Sequence, residues 1–122
     1  MPASSPKSIA VVSVNTAPDR AKKVLGMVAE DLHERYLISL VGNSDSIEGV
    51  KPMLLSLDTP ANLLLCASMW TPEQQATIQR IAKETVPGIK TYAIPTGLQV
   101  QIGPEGIAKH LADRMDLILE GN

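Results

Sequence analysis

Four short apolar runs alternate along this chain with longer segments in which apolar residues recur at every third or fourth position. The runs span residues 8–14, 36–41, 62–68 and 90–94. Runs that are apolar at successive positions are typical of parallel strands covered by helices on both faces. The segments between them, and a last one that follows residue 103, have the spacing of amphipathic helices. The pattern predicts the order β-α-β-α-β-α-β, followed by a C-terminal helix.

This alternation predicts one domain with a mainly parallel sheet between two layers of helices. We predict a three-layer α/β/α fold, flavodoxin-like or Rossmann-like, with four strands. The flavodoxin-like strand order 2-1-3-4 is preferred, and it places the first and third strands side by side at the centre of the sheet. In such sheets, ligands bind beyond the carboxyl ends of the central strands. Residues 1–7 are expected to be a disordered or frayed tail, and residues 8–122 to form the single domain.

Three stretches have the spacing of a helix start, in which a capping residue is followed three positions later by a side chain that closes a capping box. They are Thr16 to Asp19, Asp45 to Glu48, and Thr71 to Gln74 with Pro72 at the first helical position. We expect a helix to begin at each of them. The inner side of the helix after Thr71 is expected to carry Ala76, Ile78, Ile81 and Ala82.

The segment between the fourth strand and the last helix, residues 95–106, is longer than the usual strand-to-helix link of about two to six residues. Within it, the stretch from Leu98 to Ile102 alternates apolar and polar residues, which is the period of a half-exposed strand. We therefore predict a short extra strand there. Three roles are open for the segment: a lid over a pocket, an added edge strand, or a surface that pairs with a second copy of the chain.

The composition limits the classes of partner. The net charge is −2, and the chain has no phenylalanine, one tryptophan and two tyrosines. Because few aromatic side chains are available to stack on bases, we expect no nucleic-acid binding. No apolar run reaches the roughly 18 residues of a membrane span, so no membrane association is expected. The single cysteine excludes an intrachain disulfide and fits a reducing compartment, which favours a cytoplasmic location.

The loops that follow the predicted strands lack the marks of common cofactor sites. The loop after the first strand contains no glycine, whereas a dinucleotide site needs Gly-x-Gly-x-x-Gly there. Phospho-receiver domains resemble this layout, but they carry acidic residues after the first strand and an aspartate that ends the third. Those positions hold Ser13, Asn15 and Cys66 or Ser68, so phosphotransfer to aspartate is not expected. No cluster has metal-ligand spacing, and we expect neither a cofactor nor a metal.

Polar side chains collect at the predicted carboxyl ends of the strands, where a small ligand would bind. The candidate ligand-binding residues are Ser13, Asn15, Thr16, Ser68, Trp70, Thr96 and Gln99. The candidate catalytic residues are Asp19, Glu73, His110 and Cys66. Helix capping is the structural alternative for Thr16, and core packing is the alternative for Cys66. His110 can simply flank the core, and Trp70 can staple the start of the following helix.

Two functions from different classes are compatible with these patterns. The first is a small-molecule-binding domain, which as an enzyme would be a cofactor-independent isomerase, lyase or hydrolase acting on a small metabolite at the carboxyl edge of the sheet. The second is a non-enzymatic homo-oligomeric or accessory protein-interaction module that uses the stretch from Leu98 to Ile102. The sequence leaves open whether the protein is an enzyme.

Overall fold

Helices and strands alternate along residues 6–121, which are the residues that the computed structural model describes. They are β1 (Lys7–Val14), α1 (Pro18–Asp31), β2 (Tyr36–Ser44), α2 (Val50–Leu55), β3 (Leu63–Cys66), α3 (Pro72–Thr85), β4 (Lys90–Ala93) and α4 (Leu98–Gly121). The strands form one parallel sheet in the order β2-β1-β3-β4. The predicted three-layer α/β/α fold and the flavodoxin-like strand order are confirmed.

The chain ends differ slightly from the predicted limits. β1 begins at Lys7, one residue inside the predicted tail. Residues 1–5 of that tail, and residue 122, lie outside the described residues. Within residues 6–121, no helix is long and apolar enough to cross a membrane.

The core has two layers, one on each face of the sheet. The layer under α1 and α4 includes Val24, Leu25, Val28, Ile107, Leu111 and Met115. The layer under α2 and α3 includes Val50, Leu54, Ile78 and Ala82. Successive residues of β1 and β3 enter alternate layers: Val11 and Leu65 face α1 and α4, whereas Val12 and Cys66 face α2 and α3. Both central strands are therefore buried on both faces where they pair with each other.

The edge strand β2 is covered less completely than its apolar sequence predicts. α2 has only six residues, and Leu37 and Val41 of β2 are 52% and 43% exposed. The register of β2 against β1 also shifts opposite Val41, between Val11 and Val12. One side of this edge strand is therefore left open to solvent.

The capping box predicted at Thr71 is confirmed. The Thr71 hydroxyl oxygen accepts a hydrogen bond from the Gln74 backbone N–H at 3.1 Å. In return, the Gln74 side-chain oxygen accepts one from the Thr71 backbone N–H at 2.9 Å. Pro72 occupies the first helical position, where its missing N–H costs nothing.

The other two predicted helix starts are wrong, because neighbouring polar side chains bind other backbone N–H groups and each helix begins later. α1 is capped at Ala17, whose N–H donates to the Asn15 side-chain oxygen at 2.7 Å. Thr16 makes no capping bond, and its hydroxyl lies 3.1 Å from the Met69 sulfur.

α2 starts later than predicted. It begins after Gly49, whose N–H donates to the Ser46 hydroxyl at 3.1 Å, so Asp45 is not its N-cap. Ser46 therefore accepts a backbone N–H bond one residue further along than the capping box that was predicted from Asp45 to Glu48.

The predicted strand from Leu98 to Ile102 is wrong, since this stretch forms the first turns of α4. Over five residues, an alternating pattern also places the residues at its first and fifth positions, here Leu98 and Ile102, on one side of a helix. Leu98 packs against the core, whereas Val100 is 91% exposed on the other side. Gly97, with φ of 85°, turns the chain into this helix, and Gly103, with φ of 71°, kinks it before Pro104.

Candidate ligand-binding crevice

An open crevice lies beyond the carboxyl ends of β1 and β3, between the first turns of α1 and α4. We call it the carboxyl-edge crevice, and its volume is about 280 Å³. It is lined by Asn15, Arg20, Ala67, Ser68, Met69, Thr96, Gly97, Gln99 and Val100. Small-molecule sites in proteins span roughly 300–1,000 Å³, so this crevice lies just below the lower end of that range.

A small apolar cavity lies next to this crevice. Its volume is about 30 Å³, and its apolar lining consists of Ala21, Val24, Leu25, Leu65, Ala67, Ile94, Ile107 and Leu111. Ser13, Asn15, Arg20 and Gln99 complete the lining. Four residues line both the cavity and the crevice: Asn15, Arg20, Ala67 and Gln99. The cavity is therefore adjacent to the crevice along a shared, mostly polar rim.

Hydrogen bonds to the neighbouring edge strand fix the end of β1. The Ser13 hydroxyl donates to the Asn43 side-chain oxygen at 2.6 Å, and the Asn43 amide donates to the Asn15 carbonyl at 3.1 Å. The Asn15 N–H donates to the Ser44 carbonyl at 2.9 Å. These bonds hold Ser13 and Asn15 in place, and none of them uses the side-chain N–H groups of Asn15.

The loops after β3 and β4 are tied together in the same way. The Ser68 hydroxyl accepts from the Gln99 backbone N–H at 3.2 Å, and the Ser68 carbonyl accepts from the Gly97 N–H at 2.9 Å. The Thr96 hydroxyl donates to the Trp70 carbonyl at 2.8 Å. These hydrogen bonds therefore fix the shape of one wall of the crevice.

Gln75 of α3 joins the ends of β3 and β4. Its side chain is buried, and its amide donates to the Ile94 carbonyl at 2.7 Å and the Ala67 carbonyl at 3.2 Å. The sequence pattern assigns this inner position to Ala76, which is exposed. The signal that could have found Gln75 is its spacing from Ile78 and Ala82, three and seven positions on.

Arg20 is the charged residue that lines the crevice. The sequence pattern does not predict this, because it places Arg20 on the solvated face of α1. Among residues 6–121, its guanidinium forms no ion pair or hydrogen bond, and neither does the side-chain amide of Gln99. No carboxylate lines the crevice or the apolar cavity. The crevice thus has one positive charge, on the exposed side chain of Arg20, and no carboxylate in its lining.

The four candidate catalytic residues do not come together. Asp19 and Glu73 are exposed in the first turns of α1 and α3. The His110 ring nitrogen Nε2 lies 2.6 Å from the Tyr92 hydroxyl, and burial lowers the pKa of His110. Cys66 is fully buried in the layer under α2 and α3. None of the four lines the crevice or the cavity.

Trp70 lies on the α2 and α3 side of the sheet. Its indole N–H donates to the Val14 carbonyl at 2.9 Å, and its ring packs against the core layer there. Thr16 contacts Met69 through its hydroxyl and its N–H, at 3.1 and 3.4 Å. Both residues therefore brace the loops around the crevice, and neither lines it.

Burial raises the pKa of the Cys66 thiol to about 12. We expect the native protein to resist a thiol reagent at pH 8 and to release one reactive thiol in denaturant. Because the unfolded thiol ionises near pH 8.5, the stability due to the neutral buried thiol is complete below that pH and is lost as the pH rises towards 12. The rate at which the thiol reagent labels Cys66, measured at increasing denaturant concentration, tests this expectation. Rapid labelling of the native protein would contradict it.

No group of three or more histidine, cysteine, aspartate or glutamate side chains in the described part of the chain is arranged to hold a metal ion.

Comparisons with known proteins concern the fold. No family model and no curated protein matches the sequence. The structure is similar to the RcsB response regulator of Salmonella typhimurium. The match has a TM-score of 0.48 and 14% identity, and covers 91% of this chain and 69% of the other. That structure is described in terms of conformational dynamism for DNA interaction.

Proposed function

We propose that this protein binds a small anionic metabolite in the carboxyl-edge crevice. The observation that carries the proposal is the guanidinium of Arg20, which is unpaired among the described residues and lies over a crevice without carboxylates. A carboxylate or phosphate there would gain charge-assisted hydrogen bonds. The side-chain amides of Asn15 and Gln99 supply further donors within the same lining.

The crevice is better suited to binding than to proton transfer. Its lining contains no aspartate, glutamate, histidine or cysteine. The cofactor-independent isomerase, lyase or hydrolase chemistries need a general acid or base within hydrogen-bond reach of the substrate. We therefore propose a ligand-binding domain, in which occupancy of the crevice links α1 to α4 through Arg20 and Gln99.

A matched ligand panel tests this proposal. The melting temperature is measured at constant ionic strength with phosphate, acetate and propionate, and with the neutral acetamide and propionamide. Ligand that saturates the native state at about 100 times its Kd stabilises it by about 2.7 kcal/mol. We expect the carboxylates to raise the melting temperature and the amides of the same shape to have little effect. Equal responses to both, or none, would contradict the proposal.

A homodimer through β2 is the second candidate function, and it replaces the interface predicted at Leu98 to Ile102. β2 is a nine-residue edge strand without a charged residue or proline, which are the residues that usually protect such edges. Antiparallel pairing of two copies about Ser39 would place Leu37 opposite Val41 of the second copy. These two side chains are exposed in the single chain.

Replacing Leu37 with lysine tests this dimer. The lysine would place its charged group against the apolar side chain of Val41 in the second copy, so we expect Leu37→Lys to be monomeric where the unmodified protein is dimeric. Leu117→Lys is the control, since Leu117 is 70% exposed on α4 and outside β2. Light scattering gives the mass of each. An unmodified protein that stays monomeric at high concentration would exclude the interface.

A further inference from the structure

We propose that the carboxyl-edge crevice and the apolar cavity form one site for a short-chain aliphatic carboxylate. This inference rests on the proposed function and adds the chemical class of the ligand. The carboxylate would bind Arg20 and Gln99 at the shared rim. The alkyl tail would enter the apolar cavity.

The two spaces are chemically different but share a rim. Asn15, Arg20, Ala67 and Gln99 line both, so a ligand held at the rim touches each space. The crevice is open, and its lining mixes polar side chains with the apolar Ala67, Met69 and Val100, whereas the cavity is lined mainly by aliphatic side chains from α1, α4, β3 and the end of β4. A ligand with a charged head and a small apolar tail matches this arrangement, and a purely polar anion does not.

The cavity limits the length of the tail. Its volume of about 30 Å³ exceeds the minimum space for one water by about twofold. Apolar cavities of this kind are poorly hydrated, so an alkyl group replaces little bound water on entry. Each buried methylene is expected to strengthen binding about fourfold until the cavity is full.

The floor of the cavity resists longer tails. Ile107 is 2% exposed and Leu111 is fully buried, and both pack in the core layer under α1 and α4. A tail longer than the cavity would have to displace these close-packed side chains. Affinity should therefore rise with chain length, reach a maximum, and fall for longer carboxylates.

The test is a titration series with formate, acetate, propionate, butyrate and hexanoate, followed by calorimetry. Ile107→Val and Leu25→Val each remove one methylene from the cavity lining, on opposite helices. Each should move the affinity maximum towards a longer chain. Ile118→Val is the matched control, since Ile118 is buried in the same core layer but does not line the cavity.

The outcomes separate this inference from the proposed function. A maximum that moves in both cavity variants but not in Ile118→Val supports the inference. If all the carboxylates bind with equal affinity, or if the maximum stays in place in the cavity variants, the tail does not enter the cavity and the inference is wrong while the anion site stands. If no carboxylate binds, the proposed function fails with it.

Discussion

Replacing Gln75 with leucine is expected to lower the free energy of unfolding by about 2–3 kcal/mol, because it leaves the buried Ile94 carbonyl without its donor. The Ala67 carbonyl also loses a donor but still accepts from the Trp70 N–H, at 3.5 Å. For a chain of this size, the melting temperature should fall by roughly 6–12 °C. Denaturant unfolding of the variant and the unmodified protein measures the difference.

Two further variants test whether the lost hydrogen bonds of Gln75 cause this decrease in stability. Gln75→Glu would place a carboxylate against the carbonyls of Ala67 and Ile94, so its loss should be large at neutral pH and smaller in acid, where the protonated carboxyl can donate. Gln101→Leu is the control, because Gln101 is exposed on α4. If Gln75→Leu were as stable as Gln101→Leu, the proposed role of Gln75 in joining β3 to β4 would be wrong.

Replacing Arg20 with methionine is expected to weaken carboxylate binding by about 10- to 100-fold. The reason is that hydrogen bonds to a charged group contribute about 1.5–3 kcal/mol. Methionine keeps the length and helix preference of the side chain but removes its charge. Arg20→Lys should fall between the two, since lysine keeps the charge and loses the paired donors of the guanidinium. Calorimetric titration with propionate gives the affinities.

The control for Arg20 lies on the same helix. Lys23 is exposed in α1 and lines neither the crevice nor the apolar cavity, so Lys23→Met changes the net charge equally without touching the site. We expect Lys23→Met to bind propionate within about twofold of the unmodified protein, because exposed charges at a distance are screened by salt. Equal losses in both variants would show that only the overall charge matters.

The sheet could be predicted because its pattern is local and repeated. Apolar runs marked the four strands, and the alternation of strands and helices implied parallel pairing. The start of α3 followed from Thr71 and Gln74, which satisfy each other within one turn. The start of α1 depends on Asn15, whose side chain captures the Ala17 N–H, and on Met69 from a distant loop. Competition of that kind cannot be read from spacing alone.

The site was harder to predict than the fold. Strand topology directs attention to Ser13, Asn15, Ser68 and Gln99, whereas the part played by Arg20 depends on how the first turn of α1 meets α4. The extra strand predicted from Leu98 was wrong because alternation and helical spacing overlap over five residues. The hydrogen bonds of Gln75 could not be predicted, because the carbonyls of Ala67 and Ile94 come together only when β3 and β4 lie side by side.

A crystal structure of the protein with propionate at saturating concentration tests the anion site most directly. We expect the carboxylate carbon within about 4 Å of the Arg20 guanidinium carbon, at hydrogen-bond distance from the Gln99 amide, with the methyl group directed towards Ile107. The unmodified protein and the Arg20→Met variant are compared under the same conditions. Propionate bound in the same pose without Arg20, or found only elsewhere on the molecule, would contradict the account.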